Sequence, residues 1–256
     1  AEQLAEAGYY ALVPYVRGCG PTHFLNDDIP RSGSPAARVR DVIEFMDALH
    51  IDSAVIAGQD WGATTAQALC ILYPERVEKL VLLNGQGLLN MQVFSQGKIP
   101  TWQTFHAGWY QWLFLQPLES DREGFARYVW QQWSPDWKFS DDKSSVVCES
   151  FKNPDWIEVV LSAYQMQTDT NDPRDVEAMA RLSSPSVSIN RPTLHLQGMN
   201  DGVDLFADTQ LGQEAFYKDI YISKRLERCG HFLQREQPHI VADEILAFLD
   251  TPSSVK

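Results

Sequence analysis

The five residues Gly58-Gln59-Asp60-Trp61-Gly62 constrain this chain more than any others. They join an apolar run, Ser53 to Ala57, to an apolar-periodic segment, Ala63 to Leu72, and so read as a strand-to-helix corner. Glycine on both sides of Asp60 suits a sharp, strained turn, where side chains at the flanking positions are expected to collide with neighbouring backbone. Such a turn lifts the central side chain above the end of its strand. The surrounding chain must then supply a sheet with helices packed on it.

Aspartate at the centre of the corner narrows the chemistry. A carboxylate that displaces a leaving group from saturated carbon forms an alkyl ester, whose carbonyl water can later attack, whereas serine would leave an ether that resists hydrolysis. Epoxides and alkyl halides therefore fit better than ordinary esters. Such a reaction needs a base to activate water and an acid to orient the base. Both occur downstream. Pro192 to Gln197 reads as a buried strand, and Gly198-Met199-Asn200-Asp201-Gly202 puts Asp201 on the loop at its carboxyl end. Ile220 to Ile222 reads as a short strand followed by Glu227 to Phe232, so that His231 precedes a helix expected over Gln237 to Leu249. Asp204, on the same loop as Asp201, is the alternative acid.

Read along its length, the chain alternates strand and helix signals. Tyr9 to Val16 is an extended run, read as a strand, before Arg17-Gly18-Cys19-Gly20-Pro21 and a polar loop to Pro35. Pro35 opens a helix with Val39, Val42, Ile43 and Met46 at i, i+3, i+4 and i+7. Val77 to Leu83 contains the unbroken Leu80-Val81-Leu82-Leu83, typical of a strand covered on both faces. The pattern predicts an α/β fold with a mostly parallel, doubly wound sheet. From Gln86 to Asn190 the alternation stops, and seven of the eight tryptophans, Trp102 to Trp156, lie among helix-like segments broken at Pro100, Pro117, Pro135 and Pro154. Residues 1–85 and 191–256 are thus expected to form one α/β core, with 86–190 as a helical insertion. Most of these aromatics should form the core of that helical layer, with a few facing a pocket suited to an apolar substrate.

At 256 residues, 44% of them hydrophobic, the chain can bury a full core. Its net charge of −13 argues against nucleic acid, whose phosphates it would repel. Cys19, Cys70, Cys148 and Cys229 are scattered, which supports neither a metal site nor a disulfide framework. No apolar stretch reaches the ~18 residues a membrane span needs, and no signal peptide is recognised, so a soluble, cytoplasmic protein is expected. Nothing in the sequence speaks to oligomeric state.

From Gly8 to Leu249 the chain resembles the α/β-hydrolases of the epoxide hydrolase and haloalkane dehalogenase group, and is most similar to the soluble epoxide hydrolases. The resemblance is carried by Gly58 to Ala63, Arg76 to Asn84, Gly198 to Asp201 and Cys229-Gly230-His231-Phe232. It implies the α/β-hydrolase fold with a helical cap over the corner, and neither cofactor nor metal. It also implies a triad of Asp60, His231 and Asp201, with an oxyanion contact from the Trp61 backbone N–H; Asp60, Asp201, His231 is the order of nucleophile, acid and base in that fold.

Two tyrosines separate the candidate reactions. Opening an epoxide creates an alkoxide that needs hydrogen-bond donors, which phenols supply. Tyr110, in Trp109-Tyr110-Gln111-Trp112, and Tyr164, in Ser162-Ala163-Tyr164-Gln165, resemble the two cap tyrosines of epoxide hydrolases. A halide would instead depart as a stable anion held by N–H donors, Trp61 among them. Haloalkane dehalogenase is therefore the second reading, and a non-catalytic small-ligand receptor on the same fold a third. The family also begins with strands and a His-Gly-x-Pro-like loop that supplies a second oxyanion donor. Their absence here predicts that additional residues precede residue 1.

Overall fold

The computed structural model describes residues 1–85, 88, 121–165, 170–203 and 212–252. Helix α1 (Glu2–Glu6) and helix α2 (Pro35–Ala48) precede strand β1 (Ala54–Gln59), helix α3 (Trp61–Leu72) and strand β2 (Val77–Leu83). Helices α4 (Arg122–Trp133), α5 (Asp141–Glu149), α6 (Trp156–Gln165) and α7 (Val176–Leu182) follow. The chain then forms β3 (Thr193–Gly198), β4 (Tyr221–Leu226), α8 (Leu233–Glu236) and α9 (Pro238–Leu249).

The four strands pair in parallel in the order β1-β2-β3-β4. The apolar run of β2 explains the layering. Leu80 and Leu82 enter one core with Ala66 and Leu69 of α3 and Val39 of α2, while Val81 and Leu83 enter another with Leu194, Leu196 and Val241, Ile245 and Phe248 of α9. Alternate side chains of one strand thus serve helices on opposite faces, which is why the run shows no polar gaps. Helix α2 begins where Pro35 predicts, and the Ser34 side chain caps it by accepting from the Ala37 N–H at 3.2 Å.

One expected strand does not form. Tyr9 to Val16 lies outside the sheet, with Tyr10 88% and Val13 75% exposed. Apolar alternation makes a strand only when a neighbour completes its ladder, and Pro14 removes one of the donors such a ladder would use.

Between β2 and β3 the described elements are helical. Val129 of α4 and Trp156 and Val160 of α6 bury against one another, with Trp61, Trp133 and Tyr164 packed beside them. Gly33 lets the preceding loop meet α6, because a β-carbon there would stand 2.4 Å from the Val159 carbonyl oxygen. The sheet and the helical segment therefore meet at Trp61, the residue after the corner. No helix among the described residues is long and apolar enough to cross a membrane.

Candidate active site

In a parallel sheet every strand delivers its following loop to the same edge, so four loops converge above the carboxyl ends of β1 to β4. They carry Asp60 after β1, Asn84 after β2, Asp201 after β3 and His231 after β4.

Asp60 occupies a backbone conformation that side chains rarely adopt, φ 53° and ψ −116°. Its N–H donates to the Leu83 and Asn84 carbonyls at 3.1 and 2.9 Å, and its own carbonyl accepts from the Thr64 N–H in the first turn of α3. The corner closes because Gly58 lies against Gly62: a β-carbon on Gly58 would stand 2.1 Å from the Gly62 carbonyl oxygen. The requirement for glycine is one-sided. A β-carbon on Gly62 would meet nothing within 4 Å, so the expected collision at that position is absent. Gly85 is the other tight neighbour, since its β-carbon would come within 2.7 Å of the Asp60 carbonyl oxygen.

His231 stands between two carboxylates. Its Nδ1 contacts Asp201 Oδ2 and Oδ1 at 3.0 and 3.1 Å, and its Nε2 lies 3.7 Å from Asp60 Oδ1. Nε2 is buried without a hydrogen-bond partner among the described residues. The His231 and Asp201 side chains are each only 2% exposed, whereas that of Asp60 is 37% exposed. Asp204 lies outside the described residues, and Asp201 is the acid that meets the histidine.

Charge follows from this arrangement. Burial alone would lower the His231 pKa, but the charge of Asp201 and its hydrogen bond, then Asp60 and Glu236, overcome it and raise it to about 9. Burial raises the Asp60 pKa, opposed by His231, by the Trp61 backbone N–H that donates to its carboxylate, and by Arg38. That N–H is the expected oxyanion donor, already turned toward the carboxylate. The other histidine of the sheet, His195, is buried on β3 beside Tyr221, with Nδ1 at 3.1 Å from the hydroxyl. Burial depresses its pKa to about 4, and it takes no part in this cluster.

Tyr164 sits on α6 with its ring edge-on to Trp61, 5.1 Å between centroids. It therefore borders the corner. Tyr110 lies outside the described residues.

Sequence reasoning missed Asn84. It is 1% exposed and adopts φ 36°. Its Nδ2 donates to the carbonyls of Gly230 and His231 at 2.7 and 2.8 Å, its Oδ1 accepts from the Gly198 N–H at 2.8 Å, and its backbone carbonyl accepts from Asp60. One residue thus ties the four strand ends together, its side-chain amide holding the ends of β3 and β4 and its backbone carbonyl holding the corner after β1. Trp133, at the end of α4, was also missed as an anchor. Its carbonyl accepts from the N–H groups of both Gly202 and His231, and its ring lies 5.0 Å from the imidazole. Glu236 completes the support, accepting from Gly230 N–H at 2.9 Å and Phe232 N–H at 3.1 Å. An asparagine next to a glycine reads as an ordinary turn, and a backbone carbonyl leaves no mark in sequence.

A parallel sheet with helices on both faces and a carboxylate, a second carboxylate and a histidine on loops after β1, β3 and β4 at one edge is the arrangement of an α/β-hydrolase. The chain belongs to the alpha/beta hydrolase fold family, whose model matches residues 1–238. Its relatives carry a narrower description. The chain is 24% identical over 289 residues to an epoxide hydrolase of Caballeronia sordidicola, covering 98% of this chain and 82% of that protein. It is 23% identical over 230 residues to human epoxide hydrolase 4, covering 82% of this chain and 57% of the relative. Among solved structures, a Klebsiella pneumoniae protein described as a candidate epoxide hydrolase superposes with a TM-score of 0.86 at 32% identity, covering 96% of this chain and 83% of the other.

Proposed function

We propose that this hydrolase opens an epoxide to a vicinal diol through a covalent ester on Asp60. The observation that carries the reading is His231, held at Nδ1 by Asp201 and presenting a buried, unpartnered Nε2 at 3.7 Å from Asp60. The names of the similar proteins support the choice of epoxide.

In the first step an Asp60 oxygen forms a bond to an epoxide carbon as the carbon–oxygen bond breaks. The departing oxygen takes a proton from a phenol. Tyr164, beside Trp61, is one donor, and Tyr110 is assigned as the other from its sequence surroundings. In the second step His231 Nε2 removes a proton from water as that water attacks the ester carbonyl. The oxyanion that forms is held by the Trp61 N–H, and its collapse expels the second oxygen of the substrate, which takes the proton from His231; the acid left on Asp60 returns its proton to the phenolate, so the diol leaves and carboxylate, imidazole and phenol are all restored. Alkylation of Asp60 also prepares the base. The ester is neutral, so one of the charges that raise the His231 pKa is lost, and the imidazole more readily stands deprotonated for the water step.

Residues 86–190 serve in this reading as a cap over Asp60, with the aromatic cluster around Trp156 and Trp61 offering an apolar wall to the substrate body. No step calls for a metal or a cofactor.

Trapping the intermediate tests the reaction. In His231→Gln the first step survives and the second does not, so intact mass after incubation with styrene oxide should rise by the mass of the epoxide, with the adduct on Asp60. A folded variant whose Asp60 stays unmodified would refute the mechanism. Halide release from haloalkanes without diol formation would move the assignment to dehalogenase, and binding without turnover of either class would favour a receptor.

A further inference from the structure

Arg38 is a half-buried cation to which the proposed reaction assigns no step. It lies on α2, and its guanidinium reaches over the Trp61 indole, 5.4 Å from the ring centroid. Nη2 donates to Thr64 Oγ1 at 3.1 Å. Nε and Nη1 are buried and have no hydrogen-bond partner among the described residues. Other buried or half-buried arginines nearby are differently placed: Arg17 holds Asp41, Arg31 holds Asp155 and Arg40 holds Asp172, each within 2.9 Å. A guanidinium with donors removed from water and left unpaired is costly, and it is ordinarily found on carboxylates, phosphates or carbonyls.

The charges around it point the same way. Burial pushes the Arg38 pKa down to about 10, partly offset by the negative charge of Asp60, opposed by Arg17 and weakly helped by Tyr164. It stays positive at neutral pH. Arg17 is occupied by Asp41, so the compensating charge is the nucleophile itself. Once Asp60 becomes an ester that charge is gone, and the guanidinium stands beside a neutral group. A negative charge brought by the substrate would persist through both steps. The Arg38 and Asp60 charges act on each other, so an anion held by the guanidinium lies near the carbon that Asp60 attacks.

We infer that Arg38 determines the specificity of the site, and that the substrate is a short epoxy acid whose carboxylate, set within a few bonds of the ring, accepts from the Arg38 guanidinium. The apolar cluster of Val129, Trp156 and Val160 then takes the remainder of the molecule. This inference rests on the reading of Asp60 as the nucleophile toward epoxides.

The test compares 3-phenyloxirane-2-carboxylate, its carboxamide and styrene oxide in the wild-type chain, Arg38→Gln and Arg38→Lys. Wild type should prefer the carboxylate over the carboxamide in kcat/KM by about 10²-fold, the scale of a desolvated charge pair that loses one partner. That ratio should collapse in Arg38→Gln, mainly through KM for the acid, and recover in part in Arg38→Lys. Equal ratios in the three proteins, or a wild-type preference for the amide, would overturn the inference. Should Arg38→Gln fail to fold, wild type decides alone: phenylacetate must inhibit styrene oxide turnover competitively and better than phenylacetamide, and the reverse order rejects the anion site. Diol formation without any preference for the acid removes only the role of Arg38, whereas no diol from any of the three epoxides removes the reaction on which it rests.

Discussion

Replacing Asn84 by glycine should dismantle the site from behind while leaving every residue of the proposed triad in place. Glycine adopts the φ of 36° seen at this position without penalty, so the change isolates the side-chain hydrogen bonds from backbone strain. Three bonds disappear: Nδ2 to the Gly230 and His231 carbonyls, and Oδ1 from the Gly198 N–H. The His231 carbonyl keeps the Gln59 amide at 3.3 Å, so two buried groups, the Gly198 N–H and the Gly230 carbonyl, lose their side-chain partner. At about 1–3 kcal/mol for each of these two buried groups left unsatisfied, plus about 0.5–1 kcal/mol from the added freedom of the unfolded chain, the loss should be about 2.5–7 kcal/mol. Urea unfolding followed by circular dichroism measures it, with an unchanged slope showing that only stability moved. Turnover should fall further than stability alone requires. The loops that carry His231 and Asp201 lose their common anchor to the corner, and a displacement on the order of 1 Å costs about 10²-fold in rate. Asn84→Asp refines the test: its carboxylate would face two carbonyl oxygens, so it should be as damaging at neutral pH and recover in part when protonated. A loss below about 1 kcal/mol in Asn84→Gly, with normal turnover, would refute the claim that this amide holds the loops after β3 and β4 to the end of β2.

Two further outcomes follow from the same geometry. Gly58→Ala sets a β-carbon 2.1 Å from the Gly62 carbonyl oxygen, so the corner cannot close and the protein should fail to fold or lose all activity, whereas Gly62→Ala, with open space, should remain folded; equal thermal stability of the two variants would contradict this. The His231 pKa is raised from 6.5 to about 9, so its stabilising contribution is complete below about 6.5 and is lost as pH rises through about 9. At 1.36 kcal/mol per unit this is up to roughly 3 kcal/mol. Urea midpoints should therefore fall more steeply over that window in wild type than in His231→Gln, and parallel profiles would exclude the linkage.

How much of this was legible beforehand depended on whether the signal was local. The corner at Asp60, helix α2 starting at Pro35 and the double-faced strand β2 were readable because helix and strand periods, glycine and proline act within a few residues of themselves, whereas the Ser34 cap was seen only in the structure. The order of Asp60, Asp201 and His231 could likewise be read as three polar residues each placed after a strand. Tyr9 to Val16 shows the limit of that reasoning, since an extended apolar run becomes a strand only if another strand lies beside it. Only the tertiary structure decided that Asn84 reaches residues 114 and 147 positions away, that Trp133 lends one carbonyl to two loops, and that Arg38 ends above Trp61 with donors to spare. Those relations are set by the parallel register of β1 to β4, which brings distant loops to one edge. Hydrogen bonds across that edge depend on position in space, and a sequence carries no periodicity that records it.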